Sequence, residues 1–325
     1  MMKLKPPLRG SMVAIISLLS IPAWSHAIEF NRIVVFGTSL SDPGNLFALT
    51  GRAMSPPYDE LSDPADLWVP SMPYSTGGHR FSNGATWIEQ LAQSVGLSPD
   101  ARAAFRGANG QARNYAVAGA RGRAVPGFVN LADQVETFLA DVHQQARGDA
   151  LYVIDMGAND VRDALASASP QQAGVIFLDA LHSFHSQLIK LYDSGARKFL
   201  LVNVANLGKV PSILILNSIY SGTAALAEAA AYQFNLALDQ MINAINEGYP
   251  DIEIVSLDAF SAVTQVSANP AAYGLVNATS PCVMPELAPF HCKNPDGHLF
   301  WDGIHPSRAG HAILARAAAK ALGLD

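Results

Sequence analysis

Five short predicted strands run through the chain, and stretches with helical periodicity separate most of them. Short apolar runs rich in β-branched residues and leucine are typical of strands buried on both faces of a parallel sheet. The predicted strands are 33–36, 113–120, 151–156, 198–204 and 252–257. The predicted helices are 85–95, 131–139, 170–194, 223–246 and one from 307 or 308 to 322. This alternation predicts an α/β fold in which helices cover both faces of a five-stranded parallel sheet.

The composition is that of a chain with a large buried core. Half of its 325 residues are hydrophobic and only 15% are charged, which excludes a disordered protein. The formal net charge is −6 and no cluster of lysine and arginine stands out, so nucleic acid is not an expected partner. Neither an internal repeat nor a low-complexity linker divides the sequence. We therefore expect one domain, from residue 28 to residue 325.

The first 27 residues have the features of a secretory signal peptide. Lys3, Lys5 and Arg9 precede an apolar segment, 12–21, that is too short to span a bilayer. Pro22 ends that segment, and small residues follow it. A retained membrane anchor is the alternative. We expect a secreted or periplasmic protein, and no later stretch is apolar enough to be an integral membrane segment of the mature chain.

Cys282 and Cys292 are the two cysteines of the chain. In an exported protein we expect them to form a disulfide, and two free thiols are the alternative. Two cysteines without a second pair do not make a zinc site. No Gly-x-Gly-x-x-Gly or Walker pattern follows the first predicted strand, which is unfavourable for a nucleotide or flavin. The sequence therefore predicts neither a metal ion nor a cofactor.

A polar turn follows the first predicted strand. Gly37 ends the apolar run, and three hydroxyl-bearing residues, Thr38, Ser39 and Ser41, come directly after it. Folds of the α/β class place their chemistry at such carboxyl ends of strands, near the positive end of a helix. Two interpretations stand at this point. Either Ser39 is a nucleophile, or these three residues cap the next helix.

Other strand ends and a late turn carry the further groups that a serine hydrolase needs. Asp302 lies three residues before His305, near enough to orient an imidazole that takes the proton of Ser39. The backbone N–H groups of Ser39 and Gly119 and the side-chain amide of Asn159 would stabilise the oxyanion. For Asp302 and His305, the alternative is a helix-capping aspartate beside a surface histidine.

Four blocks of the sequence resemble the GDSL, or SGNH, hydrolase family of esterases and lipases. They are 36–45, 114–120, 157–160 and 302–306, and they follow one another in the family's order. The resemblance implies a three-layer α/β/α flavodoxin-like fold and ester hydrolysis through an acyl-enzyme intermediate. It also implies catalysis by Ser39, Asp302 and His305, with an oxyanion hole formed by Ser39, Gly119 and Asn159.

The chain departs from the family's pattern at Thr38, where the namesake motif has aspartate. Thr38 precedes the nucleophile and transfers no proton, so activity is still expected, but the hydrogen bonding beneath Ser39 is open. A smaller departure is Ala120, which follows Gly119 where many members have another glycine.

The expected function is that of a secreted carboxylic ester hydrolase acting on a small-molecule or lipid ester. Short-chain or choline-type esters, lysophospholipids and longer lipids, and acetyl groups on carbohydrates are all open as substrates. The alternatives are acyl transfer to an alcohol, phospholipase activity, and an inactive secreted binding protein on the same scaffold. The proline-marked region 51–84 carries Tyr58, Trp68 and Tyr74, which either line a substrate cleft or pack the loop onto the body.

Overall fold

The computed structural model describes residues 28–63, 67–107 and 112–324, so the predicted signal peptide lies outside the described residues. A parallel sheet forms the centre of the molecule. Its four strands lie side by side in chain order: β1 (Arg32–Gly37), β2 (Ala150–Asp155), β3 (Lys198–Val202) and β4 (Glu253–Leu257). Because every pair is parallel, the carboxyl ends of all four strands lie at one edge of the sheet.

The sheet has four regular strands and not five, because the segment 113–120, predicted as a strand, does not form one. This segment runs parallel to β1 on the side away from β2, but a single residue pair, Val35 with Asn114, bridges the two. The N–H of Val35 donates to the carbonyl of Arg113 (3.0 Å), and the carbonyl of Val35 accepts from the N–H of Tyr115 (2.8 Å). With this segment beside β1, the order across the sheet is that of a flavodoxin-like fold.

A glutamine side chain interrupts the ladder between this segment and β1. In a continuing parallel ladder, the N–H of Gly37 would donate to the carbonyl of Tyr115. Instead it donates to Oε1 of Gln134 (2.9 Å). The carbonyl of Gly37 accepts from Nε2 of Gln134 (2.9 Å) and also keeps the next ladder bond, from the N–H of Val117 (3.1 Å). The segment therefore keeps strand-like contacts without becoming a regular fifth strand.

Nine α-helices lie within the described ranges. They are α1 (Asn45–Thr50), α2 (Trp87–Ser94), α3 (Leu131–Asp141), α4 (Ala158–Leu165), α5 (Pro170–Asp193), α6 (Pro211–Ile219), α7 (Thr223–Gly248), α8 (Ala259–Ala268) and α9 (Arg308–Ala321). The five predicted helices correspond to α2, α3, α5, α7 and α9 and are confirmed within a few residues at each end. The sequence analysis did not predict α1, α4, α6 and α8.

The helices cover the two faces of the sheet separately, which confirms the three-layer architecture. Side chains of each strand alternate between the faces. One set of strand residues, including Phe36, Tyr152 and Phe199, packs in a buried cluster with α3, α5 and α7. The other set, including Val35 and Val153, packs with α2 and α9. All six residues of β2 are buried, as expected for a central strand of such a sheet.

A disulfide joins Cys282 to Cys292 beneath the long proline-marked loop. Tyr58 and Tyr74 from that loop are buried in a cluster with Cys282 and Trp301, and Trp68 packs against it. The aromatic residues thus pack the loop onto the body. None of the helices in the described residues is both long enough and apolar enough to cross a bilayer.

Candidate active site

The carboxyl edge of the sheet brings together residues that are far apart in the sequence. Ser39 follows the end of β1, Asn159 lies in the first turn of α4 after β2, and Asp302 and His305 lie in the turn before α9. Ser39, Asn159 and His305 line one cavity at this edge. Ligands of open α/β sheets bind at this edge, where the strand order reverses on the two sides of the first strand.

Ser39, His305 and Asp302 form one chain of hydrogen bonds. Nε2 of His305 lies 2.9 Å from Oγ of Ser39. Nδ1 of His305 lies 2.8 Å from Oδ2 and 3.0 Å from Oδ1 of Asp302. Asp302 is fully buried and His305 is 3% exposed, whereas Ser39 is half-buried. A hydroxyl beside a base that a buried carboxylate orients is the arrangement that activates serine as a nucleophile.

The Asp302 carboxylate accepts further hydrogen bonds that fix its position. The backbone N–H groups of Ile304 (3.0 Å) and His305 (2.8 Å) donate to Oδ1. The phenol of Tyr74 donates to Oδ2 at 2.9 Å. Burial, and next the Asp302 carboxylate, raise the pKa of Tyr74 well above its usual value, so its hydroxyl remains a donor. The imidazole of His305 also packs against the ring of Phe81, with 5.1 Å between the centroids.

Gly303 allows the turn that carries Asp302 and His305 to lie against the long loop. Its N–H donates to the carbonyl of Trp68 (2.7 Å), and its own carbonyl accepts from the N–H of Ser212 (2.8 Å). A Cβ at this position would lie 2.2 Å from the carbonyl oxygen of Leu67 and 2.8 Å from that of Trp68. A larger residue would therefore displace the turn that carries Asp302 and His305.

Asp42 organises the turn that carries Ser39. Its carboxylate accepts hydrogen bonds from four backbone N–H groups, those of Gly44 (2.7 Å), Asn45, Leu46 (3.1 Å) and Ala118 (2.9 Å). The first three bonds cap α1, and the fourth ties the segment before Gly119 to this turn. Burial raises the pKa of Asp42 to about 6, and the four N–H groups oppose that shift.

The structure excludes the helix-capping interpretations. Asp42, and not Thr38, Ser39 or Ser41, accepts from the first N–H groups of α1. The hydroxyl of Ser41 donates instead to Asp155 (2.6 Å), at the end of β2. At α9, Oγ of Ser307 caps the helix by accepting from Gly310 (3.1 Å), and His305 is buried rather than on the surface.

The three predicted oxyanion donors differ in how directly they face the cavity. Nδ2 of Asn159 donates one hydrogen to the carbonyl of Ala120 (2.9 Å), which leaves its second hydrogen for another acceptor. Gly119 adopts φ 80°, and an added Cβ there would lie 2.9 Å from the ring of Phe128. Gly119 lies next to the segment that Asp42 anchors, but it does not line the cavity shared by Ser39 and Asn159. Within the described ranges, no acceptor bonds the N–H of Ser39 or of Gly119.

Asp160 joins α4 to the segment after Gly119. Its carboxylate accepts from the N–H of Gly122 (2.8 Å) and from Nη1 of Arg123 (2.8 Å). Burial raises the pKa of Asp160, and its hydrogen bonds with Gly122 and Arg123 oppose the shift. This carboxylate holds the backbone around Gly119 at a fixed distance from Asn159.

Thr38 is buried beside Ser39. Its side chain is 2% exposed and lines the cavity beside Ser39, and its carbonyl accepts from the N–H of Ser41 (3.0 Å). Beneath the turn, Asp155 accepts hydrogen bonds from Ser41 (2.6 Å) and from Nε1 of Trp87 (3.3 Å). Burial raises the pKa of Asp155. Asp155 is thus a buried carboxyl group under the turn that carries Ser39.

Sequence analysis missed the supporting roles of Tyr74, Asp42 and Asp155. Asp42 lies in one of the four blocks, so its position close to Ser39 was a usable signal. Tyr74 gave no signal, because its hydroxyl reaches Asp302 across 228 residues of sequence. Asp155 occupies the last position of an otherwise apolar strand, and a carboxylate there is a sign of function or of buried hydrogen bonding.

One group of side chains in the described residues has the spacing of a metal site: Cys282, Cys292 and His298. The two sulfur atoms are bonded to each other, so they offer no thiolate ligands. Nδ1 of His298 donates to the carbonyl of Asn294 (3.0 Å) within its own turn. This group therefore serves as a structural crosslink.

The family model and the most similar curated relatives agree on one family. The model of the GDSL-like lipase/acylhydrolase family matches residues 33–318. Two GDSL esterase/lipases of Arabidopsis thaliana are each 29% identical to this chain, and each match covers 87% of this chain and 85% of the relative. Among solved structures, an acetylxylan esterase of Geobacillus stearothermophilus is similar, with 18% identity, a TM-score of 0.48, and coverage of 92% of this chain and 97% of that one.

Proposed function

The chain belongs to the GDSL-like lipase/acylhydrolase family and is a serine ester hydrolase, and we propose that Ser39, His305 and Asp302 are its catalytic triad. The observation that carries the proposal is the hydrogen-bonded chain from Oγ of Ser39 through His305 to Asp302. The 2.9 Å between Oγ of Ser39 and Nε2 of His305 is a distance over which a proton can be transferred, and the 2.8 Å between Nδ1 of His305 and Oδ2 of Asp302 is that of a hydrogen bond that orients the ring.

The reaction proceeds in two steps. Nε2 of His305 takes the proton of Ser39 as Oγ attacks the ester carbonyl, and Asp302 stabilises the imidazolium through Nδ1. His305 then gives that proton to the leaving alcohol, which departs and leaves the acyl group on Ser39. Water, deprotonated by the same imidazole, attacks the acyl-enzyme, and release of the carboxylic acid restores the Ser39 hydroxyl.

The oxyanion of each tetrahedral intermediate is held by the N–H groups of Ser39 and Gly119 and by Nδ2 of Asn159. Two features support this assignment: both N–H groups lack a bonded acceptor within the described ranges, and Nδ2 has one hydrogen to spare. Asp42 and Asp160 fix the backbone on either side of Gly119 through Ala118 and Gly122. Donors held in this way stabilise developing charge without having to reorganise during the reaction.

Labelling with an alkyl phosphonate probe tests the nucleophile. We expect one adduct, mapped by peptide mass to Ser39, and no adduct on the Ser39→Ala variant. The same variant should lose at least about 10³-fold in ester hydrolysis, because only binding and oxyanion effects remain. Ser94→Ala serves as the matched control, since this serine bonds only to the carbonyl of Leu91 in its own helix. An adduct on another serine would refute the assignment.

We propose further that residues 1–27 are removed on export and that 28–325 form one hydrolase domain. The charge and length pattern of the first residues and the Cys282–Cys292 disulfide support a destination outside the cytoplasm. Intact mass of the product recovered from periplasm and medium tests both points. We expect a chain beginning near residue 28 that gains 2 Da on reduction, and an intact Met1 would contradict the proposal.

A further inference from the structure

We propose that the cavity beside Ser39 is a channel for the acyl chain of the substrate, and that this hydrolase prefers esters of medium-chain fatty acids. The inference rests on the proposed function, because the acyl group must be attached to Ser39 to enter the channel. It goes further by choosing one substrate class among acetyl, short-chain and lipid esters.

The lining of the cavity follows the carboxyl edge of the sheet from one side to the other. The residues that line it come from the ends of all four strands and the elements after them, and those beyond Ser39 include Met156, Val202, Leu257 and Val263. Three strand spacings separate β1 from β4, a span of about 14 Å. The cavity therefore extends well past the position that an acetyl group on Ser39 would occupy.

The walls beyond the triad are apolar and belong to the interior. Val202, Leu257 and Val263 are 5%, 2% and 7% exposed. The width is small, because the centre of a water molecule has only about 60 Å³ in which to sit. A narrow, long and apolar space suits a methylene chain, whereas a sugar ring is wider and carries hydroxyl groups that need polar partners.

Two polar residues of the wall, Asn203 and Asp155, have protein partners for their polar atoms. Nδ2 of Asn203 donates to Asp258 (3.0 Å), and its Oδ1 accepts from the N–H of Phe260 (3.0 Å). Asp155 bonds Ser41 and Trp87 beneath the nucleophile turn. With these groups satisfied elsewhere, an alkyl chain leaves few polar atoms without partners as it passes.

The length of the cavity limits the length of the acyl chain. Carbon–carbon bonds of ~1.5 Å advance an extended chain by about 1.3 Å each, so about 14 Å accommodates roughly ten bonds. Within that limit each buried methylene should raise kcat/KM about fourfold. Chains longer than the channel should gain nothing more.

Small side chains at the β4 end make the channel testable. Ala259, at the start of α8, lines this end and is 4% exposed. Ala259→Leu would fill it, and Val263→Ala would enlarge it. Ala268→Leu is the matched control, since Ala268 is exposed on the same helix and does not line the cavity.

The experiment measures kcat/KM for 4-nitrophenyl esters from acetate to palmitate on the intact protein. For the parent we expect a rise of about fourfold per methylene up to roughly ten carbons. Ala259→Leu should keep acetate hydrolysis within about threefold and lose at least about tenfold on decanoate, because a leucine removes space for two or more methylenes. Val263→Ala should move the optimum to longer chains, and Ala268→Leu should match the parent.

The possible failures are distinguishable. A parent that hydrolyses acetate best, or an Ala259→Leu variant that loses acetate and decanoate equally while keeping the parent's melting temperature, overturns the channel and leaves the hydrolase in place. If Ala259→Leu does not fold, an unchanged optimum in Val263→Ala overturns it. A folded parent that hydrolyses no ester overturns the proposed function and the channel together.

Discussion

The two halves of the sheet's carboxyl edge are built differently. At the β1 and β2 half, the carboxylates of Asp42 and Asp302 each accept four hydrogen bonds, and the groups near Ser39 have fixed positions. At the β3 and β4 half, apolar side chains such as Val202 and Leu257 line the cavity, and their contacts do not depend on orientation as hydrogen bonds do. Bond-making atoms need placement within tenths of an ångström, whereas a methylene chain needs only an apolar space of the right width.

The largest expected effect comes from a substitution at Asp302, in the β1 and β2 half of the edge, which we call the polar half. In Asp302→Asn, the new amide group favours the wrong tautomer of His305, and kcat should fall by about 10⁴. Steady-state kinetics on a short ester measure this, with thermal melting to verify folding. Asp296→Asn is the control, because it changes an exposed aspartate whose partner is Arg308. A loss of less than about tenfold, below even a routine acid–base contribution, would contradict the role of Asp302.

Asp42→Asn should have the next largest effect. The amide nitrogen of Asn faces backbone N–H groups and cannot accept from them, so α1 and Ala118 lose part of their anchor. We expect roughly a 10–100-fold loss of kcat, since the oxyanion donors shift, and a loss of ~1–3 kcal/mol in the free energy of unfolding. Denaturant unfolding and kinetics measure the two. Wild-type kcat in a destabilised variant would show that the Ser39 turn does not depend on this carboxylate.

Tyr74→Phe removes a single donor from the polar half. The ring still fills its place between Tyr58 and Trp301, and Asp302 keeps three of its four hydrogen bonds. We expect kcat to fall by about 3–10-fold with KM unchanged, because a hydrogen bond to a charged group contributes ~1.5–3 kcal/mol and part of it remains through solvent or relaxation. A change in KM alone would place Tyr74 in substrate binding instead.

The smallest effect on activity is expected at His311, in α9, the helix that follows the turn with Asp302 and His305. Burial lowers the pKa of His311 to about 3, and the charges of His305 and Arg80 act in the same direction. The folded state therefore binds this proton less tightly than the unfolded state, whose histidine has a pKa of about 6.5. Stability from this group is complete above that value and is lost as the pH falls towards 3.

Between pH 8 and pH 5 the free energy of unfolding should fall by about 2 kcal/mol through His311. Asp42, with its raised pKa, acts in the opposite direction over part of this range, so the parent is compared with His311→Gln. Urea unfolding at the two pH values should show a smaller fall in the variant by about that amount. Equal pH dependences would refute the assignment.

Features that depend on neighbouring residues could be predicted from the sequence, whereas contacts between residues far apart in the sequence could not. Strands and long helices follow from local periodicity, and Ser39 and His305 follow from their blocks together with the rule that parallel strands end at one edge. The prediction of a regular fifth strand failed because Gln134, 97 residues away in the sequence, accepts the bond from the N–H of Gly37 that a continuing ladder would use. The link of Tyr74 to Asp302 is equally invisible, because nothing local to either residue requires it.

The proposed nucleophile, Ser39, and its proposed base, His305, are separated by 266 residues, so they are synthesised at different times. Synthesis runs from the amino terminus at roughly 5–20 residues per second, so Ser39 emerges about 10–50 s before His305 does. Through that interval the β1 turn can fold while the hydroxyl has no base. An ester hydrolase with this arrangement therefore stays inert towards esters inside the cell that makes it until the segment with His305 has been added.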